Sequence, residues 1–403
     1  MTIRESFSLG VITQTVDVGY TPVGGSQHVI IDRDTVITDT MSLRPGDAVE
    51  FRNGAQLLFG PGGQPDWRGT PVDTWADDGL TQNLGRDIRF FGEGNIRFLV
   101  GSRVGTIEYV ELDVRPKLEP GFFPLHWHLM GDDSRGQEVI GVVVKNSPNR
   151  AYVPHASHGI SFFDCIAKDI AGEAWWWNSP AFQSQDRSDN TNDLLVSGCL
   201  IDGVTNSAGS ANARRLSAIK LISGVGNVIE NTVARRVRGS RGSSRDCSGF
   251  HWPEIHHKQP LSWGFNNNAA FDLGCHGIFT WQNNGQEHII RDFRSDGLIS
   301  HGAYSNHYEY IDCDVPGYII HAQGWSVTGG HAGDIFVKRN RARGIVTFTD
   351  VTVDSLLIDN ARNEGVVPIT LVFIGTTLTC DKVTYQRVVP GTKVIINGVE
   401  CVQ

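Results

Sequence analysis

The stretch FFPLHWHLMGDDSRG, residues 122–136, sets His126 and His128 two apart around Trp127 and follows them with Gly131, Asp132 and Asp133. Imidazoles serve as metal ligands or as proton carriers near neutral pH. On a β-strand, residues two apart share a face with Cα atoms about 7 Å apart. That sets the two histidines side by side and Trp127 opposite. A shared metal then needs further ligands, for which Asp132, His155 and His158 are at hand. A second chemistry makes His126 a general base with His128 or Arg135 stabilising charge, as lyase action requires. The structural alternative is that both rings bond backbone groups at a tight chain crossing. The residue types leave metal binding open and require no cofactor.

Glycosidase chemistry needs two carboxyl groups about 5 to 9.5 Å apart. Asp132, Asp133, Asp164, Asp169 and Glu173 lie near the histidines in sequence, and Glu254, Asp272 and Glu287 lie further along. Aspartates in GDD and FFDC suit turns, whereas Glu254 in HWPEIHH has no turn duty to explain it. The candidate catalytic set is therefore His126, His128, Asp132 and Glu254, for a polysaccharide-degrading glycosidase or lyase if the chain is an enzyme. No Gly-x-Ser-x-Gly elbow and no GxxxxGK[ST] loop is present, which argues against a serine hydrolase and a nucleotide enzyme.

The elements that must position these groups are short and β-rich. Runs such as VVVKNS, ISFFDC, LLVSGC, NVIENT, WGFNNN, IIRDF, EYIDC and VTFTDV put turns at Asn146, Asp164, Gly198, Asn231, Asn267, Asp292, Asp312 and Asp350. The intervals of 18, 34, 33, 36, 25, 20 and 38 residues fit coils of a parallel β-solenoid lengthened by loops. Asn and Asp suit such turns because they tolerate left-handed backbone. The expected fold is all-β: a right-handed parallel β-helix over 46–345, with a β segment at 1–45 for capping or docking and a β cap at 346–403.

After the turns, seven segments end at His155, Trp176, Leu221, Trp252, Trp281, His301 and His321. Stacked strands about 4.8 Å apart would align these ends into a stripe. Trp faces beside Asn, Gln and Glu suit sugars, so His155, Trp176, Trp252, Trp281, His301 and His321 are candidate glycan-binding residues. The alternative is an internal aromatic stack that fills the solenoid core.

The chain of 403 residues carries 35 basic and 44 acidic side chains, a net charge of −9, which disfavours nucleic acid as partner. Arg235, Arg236, Arg238, Arg241 and Arg245 form the one basic stretch, read as a solvated loop. Seven widely spaced cysteines without a CxxC pair are expected as buried free thiols. No apolar run approaches the about 18 residues of a membrane span, and the N-terminus lacks a signal-peptide pattern, so neither membrane insertion nor independent export is expected.

FFPLHWHLMGDDSRGQEVIGVVVKNSPNRAYVPHASHGISFFDCIAKD resembles the β-helix region of the cell-migration-inducing hyaluronidases and fibrocystin-like proteins. The likeness rests on Pro124, His126, Trp127, His128, Gly131, Asp132 and His155. It departs at Ala156, where that family usually has glycine. The resemblance implies a right-handed β-helix and a carbohydrate ligand. The wider pattern of GEAWWWN, HWPE, HGIFTWQNNG and ISHGAY is similar to β-helical minor tail proteins of bacteriophages that infect actinobacteria. That likeness implies a homotrimer in a virion tail, with other tail proteins and a cell-surface polysaccharide as partners. A secreted depolymerase and a purely structural tail subunit are the alternatives.

Overall fold

Short β-branched and aromatic runs separated by Asn, Asp or Gly cannot build long helices, and they pair here as two stacked parallel sheets of 22 and 15 strands. The computed structural model describes residues 26–72, 85–119, 121–177, 190–206, 216–221, 224–239, 247–253, 263–274, 276–280, 287–301, 307–320, 325–338, 344–360 and 367–402. Through most of its length each coil lays one strand on the smaller sheet and two on the larger, for example Ser161–Phe163 and then Ile166–Ala171 and Trp175–Trp177. Each pairs in parallel with its counterpart in the next coil, so the chain is a parallel β-helix, as expected. Its interior is filled by apolar side chains, with Trp67, Trp127, Trp175, Trp252 and Trp325 among the largest fully buried ones.

The turn positions behave as their chemistry requires. Asp164, Gly198, Asn231, Asn267, Asp292, Asp312 and Asp350 all have positive φ and stack as one ladder where the chain passes from the smaller sheet to the larger. Each backbone N–H donates into the next coil, for example Asp164 to Ser197 O at 3.1 Å and Asp312 to Thr328 O at 2.9 Å. Asn146 is the exception. Lys145 pairs with Lys168, so Asn146 stacks instead on Asp169, in a second ladder of positive-φ residues continued by Gly203 and Arg236. The longest interval, from Asp312 to Asp350, hides a coil whose turn is Gly329 (φ 67°).

Among the described residues the ring segments lie on, or directly after, successive strands of the larger sheet, but the described rings do not form one stripe. Trp176 pairs with Lys220, and it is Trp177 that pairs with Leu221. A slip of one residue turns a side chain to the other face. Trp252 is fully buried and contacts Trp263, Phe265 and Tyr308, with its indole Nε1–H donating to His288 Nδ1 at 3.2 Å. It is a core residue and not part of an exposed groove. Trp281 and His321 lie outside the described residues, as does the His301 side chain, although His301 ends the strand Ile299–His301.

The solenoid also runs beyond 46–345. His28–Ile31 pairs in parallel with Ala48 to Phe51, and Ile345–Thr349, Thr370–Ile374 and Lys393–Ile396 stack in parallel at the other end. At that end Val399–Glu400 returns antiparallel against Lys393–Ile396, which makes the final hairpin the cap. Residues 1–25 lie outside the described part. The cysteine expectation holds for Cys165, Cys199 and Cys313, which are buried free thiols, but Cys380 and Cys401 form a disulfide and Cys247 is disulfide-bonded. The basic stretch is likewise ordered where described. Arg235, Arg236 and Arg238 belong to the strand Val233–Arg238, and the first two bond the Asp202 carboxylate.

Candidate functional site

The strand Leu125–Gly131 alternates as its sequence dictates. Leu125 and Trp127 point into the core, where Trp127 stacks on Phe98 at 5.4 Å, and His126 and His128 point outward. The next coil supplies Tyr152–Ser157, registered so that His128 faces His155. The three imidazoles converge. Ring centroids of His126 and His128 are 5.1 Å apart, those of His128 and His155 4.8 Å, and those of His126 and His155 5.9 Å. One ring nitrogen from each lies within 4.8 Å of the other two.

Outward orientation does not leave His126 exposed. The segment before the strand folds over it, with Phe123 edge-on at 5.0 Å, and its exposure is 1%. His126 Nδ1 lies 3.1 Å from the Gly121 carbonyl and 3.3 Å from Arg97 Nε, which the preceding coil places opposite it. The buried Nε2 has no hydrogen-bond partner among the described residues. Burial, reinforced by the Arg97 charge, pushes the His126 pKa well below its ordinary value. The same two causes push His128 down to about 4. Burial, then His128 and Arg97, push His155 down to about 2. All three rings are neutral at pH 7, each with a free lone pair on one nitrogen.

Backbone strain sits directly beside the trio. Leu129 and Ala156, which follow His128 and His155, have φ of 56° and 43°, and the register shifts between His128 and Gly131. Ala156 therefore occupies left-handed backbone that glycine would adopt without cost.

Aromatic and charged groups extend the site over the following coils. His155 stacks on Trp177 at 3.5 Å, and Trp177 meets half-buried Trp176 at 5.0 Å. The Arg150 guanidinium lies 3.8 Å from the centre of the Trp176 ring and bonds the buried Glu173 carboxylate at 2.9 Å. Lys220 approaches Glu173 from the next strand at 3.8 Å. Burial opposes the Glu173 charge, but Arg150 and Lys220 outweigh it and hold the carboxyl below its ordinary pKa.

Of the residues singled out from sequence, His126, His128, His155 and Trp176 come together here. Asp132 does not join them. It is exposed, in a short 3₁₀ turn, and bonds Arg135 at 2.6 Å. His158 also stays apart, its Nδ1 accepting from the Asn192 backbone N–H at 3.3 Å. Trp252 is in the core, and Glu254 lies outside the described residues. Sequence reading missed Arg97, Arg150, Lys220 and Phe123 as site members, because only coil stacking brings them near. Trp177 was legible in WWW, but not its face.

Residues 91–180 match the family model described as the CEMIP beta-helix. A 73-residue stretch is 37% identical to fibrocystin-L of Mus musculus, covering 18% of this chain and 2% of that protein. Of the site residues named above, only Lys220 falls outside the matched segment. The chain is a parallel β-helix whose candidate site is carried by a segment similar to the CEMIP beta-helix.

Proposed function

We propose that the chain recognises an acidic polysaccharide through the outward patch around Trp176, as a β-helical component of a virion tail. The observation that carries this reading is the charge and ring content of the patch. Arg150 and Lys220 flank the Glu173 carboxylate beside half-buried Trp176, in a chain whose net charge is −9. An indole offers an apolar surface to sugar C–H groups, and guanidinium offers paired donors to a uronate carboxylate. The likeness of residues 91–180 to the CEMIP beta-helix supports carbohydrate as the ligand class. Assembly as a homotrimer, with other tail proteins as partners, belongs to this proposal and rests on the whole-chain pattern.

Binding to uronate-containing and neutral polysaccharides, measured by biolayer interferometry, tests it. The wild-type chain is expected to bind the acidic polymers selectively. Trp176→Ala should weaken binding about 10-fold, the effect of losing roughly 1.4 kcal/mol. Equal binding to neutral polymers, or none to either, would sink the reading. Cleavage is the second reading, favoured by three neutral imidazoles one coil from the same patch, with His126 and His128 as candidate catalytic residues. It predicts new reducing ends or unsaturated sugars, lost in His128→Ala.

A further inference from the structure

We infer that His126, His128 and His155 form a three-imidazole site for a divalent transition metal of the zinc class. Three observations converge. One ring nitrogen from each histidine lies within 4.8 Å of the others, on two adjacent strands whose register opposes His128 and His155. His126 Nε2 is a buried polar atom without a hydrogen-bond partner among the described residues, on a ring that contacts both other imidazoles. The Gly121 carbonyl, 3.1 Å from His126 Nδ1, can hold the proton there and leave the Nε2 lone pair for a metal. Such outer-shell carbonyl bonds typically orient metal-bound histidines.

Arg97 Nε, 3.3 Å from the same Nδ1, is compatible only with the opposite tautomer, because an N–H cannot donate to an N–H. That tautomer would aim an Nε2–H, without an acceptor, into the cluster. A metal ion resolves the conflict in favour of Nδ1–H, and Arg97 Nη2 still has the Gly121 carbonyl at 3.1 Å. Tetrahedral zinc with bonds of about 2.0 Å needs nitrogens about 3.3 Å apart. Closing the nitrogens to that spacing requires the half-buried His128 and His155 rings to turn toward buried His126. Three histidines leave a fourth position, and the adjacent Arg97 charge favours an anion there, such as hydroxide or a carboxylate. The inference is independent of the polysaccharide reading.

Chelator-stripped full-length protein titrated with Co²⁺ and Zn²⁺ tests it. The expected results are one ion per chain, visible cobalt absorption of a low-coordinate nitrogen site, and displacement of cobalt by zinc. His128→Ala and His155→Ala, at partly exposed positions, should each weaken binding about 100-fold while circular dichroism stays unchanged. His331→Ala, at an exposed histidine between Asp314 and Asp354, should leave binding intact. Binding of less than a tenth of an equivalent, or binding unchanged in the His128/His155 double variant, would overturn the site. Should His126→Ala fail to fold, the two half-buried positions still decide.

Discussion

At the scale of single residues, burial makes the histidines answer to acid. In the unfolded chain they titrate near 6.5, whereas the folded protein pushes His128 down to about 4 and His155 to about 2. As pH falls below 6.5 the unfolded chain takes up protons that the folded chain refuses. Stability from these groups is therefore full above 6.5 and is lost progressively as pH drops toward 4 and then toward 2. Urea midpoints of metal-free protein should decline over that window. The decline should be shallower in a His128→Asn, His155→Asn variant, and an equal slope would remove the two rings as its source. His126, His128 and His155 were all named from sequence, because histidine is chemically conspicuous. Arg97 and Arg150 were not, since nothing in NIRFLV or NSPNRAY marks an arginine as facing a histidine or an indole.

At the scale of the coil, the turn ladder is the element most legible in sequence. Asn231 has φ of 51°, is exposed, and its side-chain oxygen accepts from Asn267 Nδ2 at 2.8 Å. Alanine there incurs about 1 kcal/mol of left-handed strain and loses a bond worth up to about 1 kcal/mol. Asn231→Ala should thus lower stability by about 1 to 2 kcal/mol, and Asn231→Gly by less, in urea unfolding. Equal losses would show that backbone strain is not what selects Asn. Gly198→Ala should be worse than Asn231→Gly, because the added methyl would collide with Asp164 Oδ1. The ladder was readable because left-handed backbone limits the residue choice to a few types. The ring stripe was misread because segment ends do not reveal whether Trp176 or Trp177 faces Leu221.

For the whole molecule, a solenoid is stable where each coil covers the next, so its ends decide where it frays. The C-terminal end is closed by the hairpin of Lys393–Ile396 and Val399–Glu400, tied by Cys380–Cys401 across 21 residues. A loop of that length is worth about 3 kcal/mol by chain entropy. Cys401→Ser should therefore raise amide exchange in 393–400 while leaving the strands around His126 protected. Unchanged protection in 393–400 would mean that strand pairing alone holds the cap.

By itself the sequence determined the coil: β-rich runs, left-handed turns at Asn, Asp and Gly, and a histidine pair on one face of a strand. These follow from local rules of backbone sterics and the two-residue strand period. Tertiary structure alone decided which rings point inward, that His155 completes a trio with His126 and His128, that Arg97 packs against His126, and that Lys220 reaches Glu173. Those outcomes depend on the register between coils separated by roughly 20 to 40 residues in sequence, lengthened unequally by loops. A shift of one residue there reverses every face.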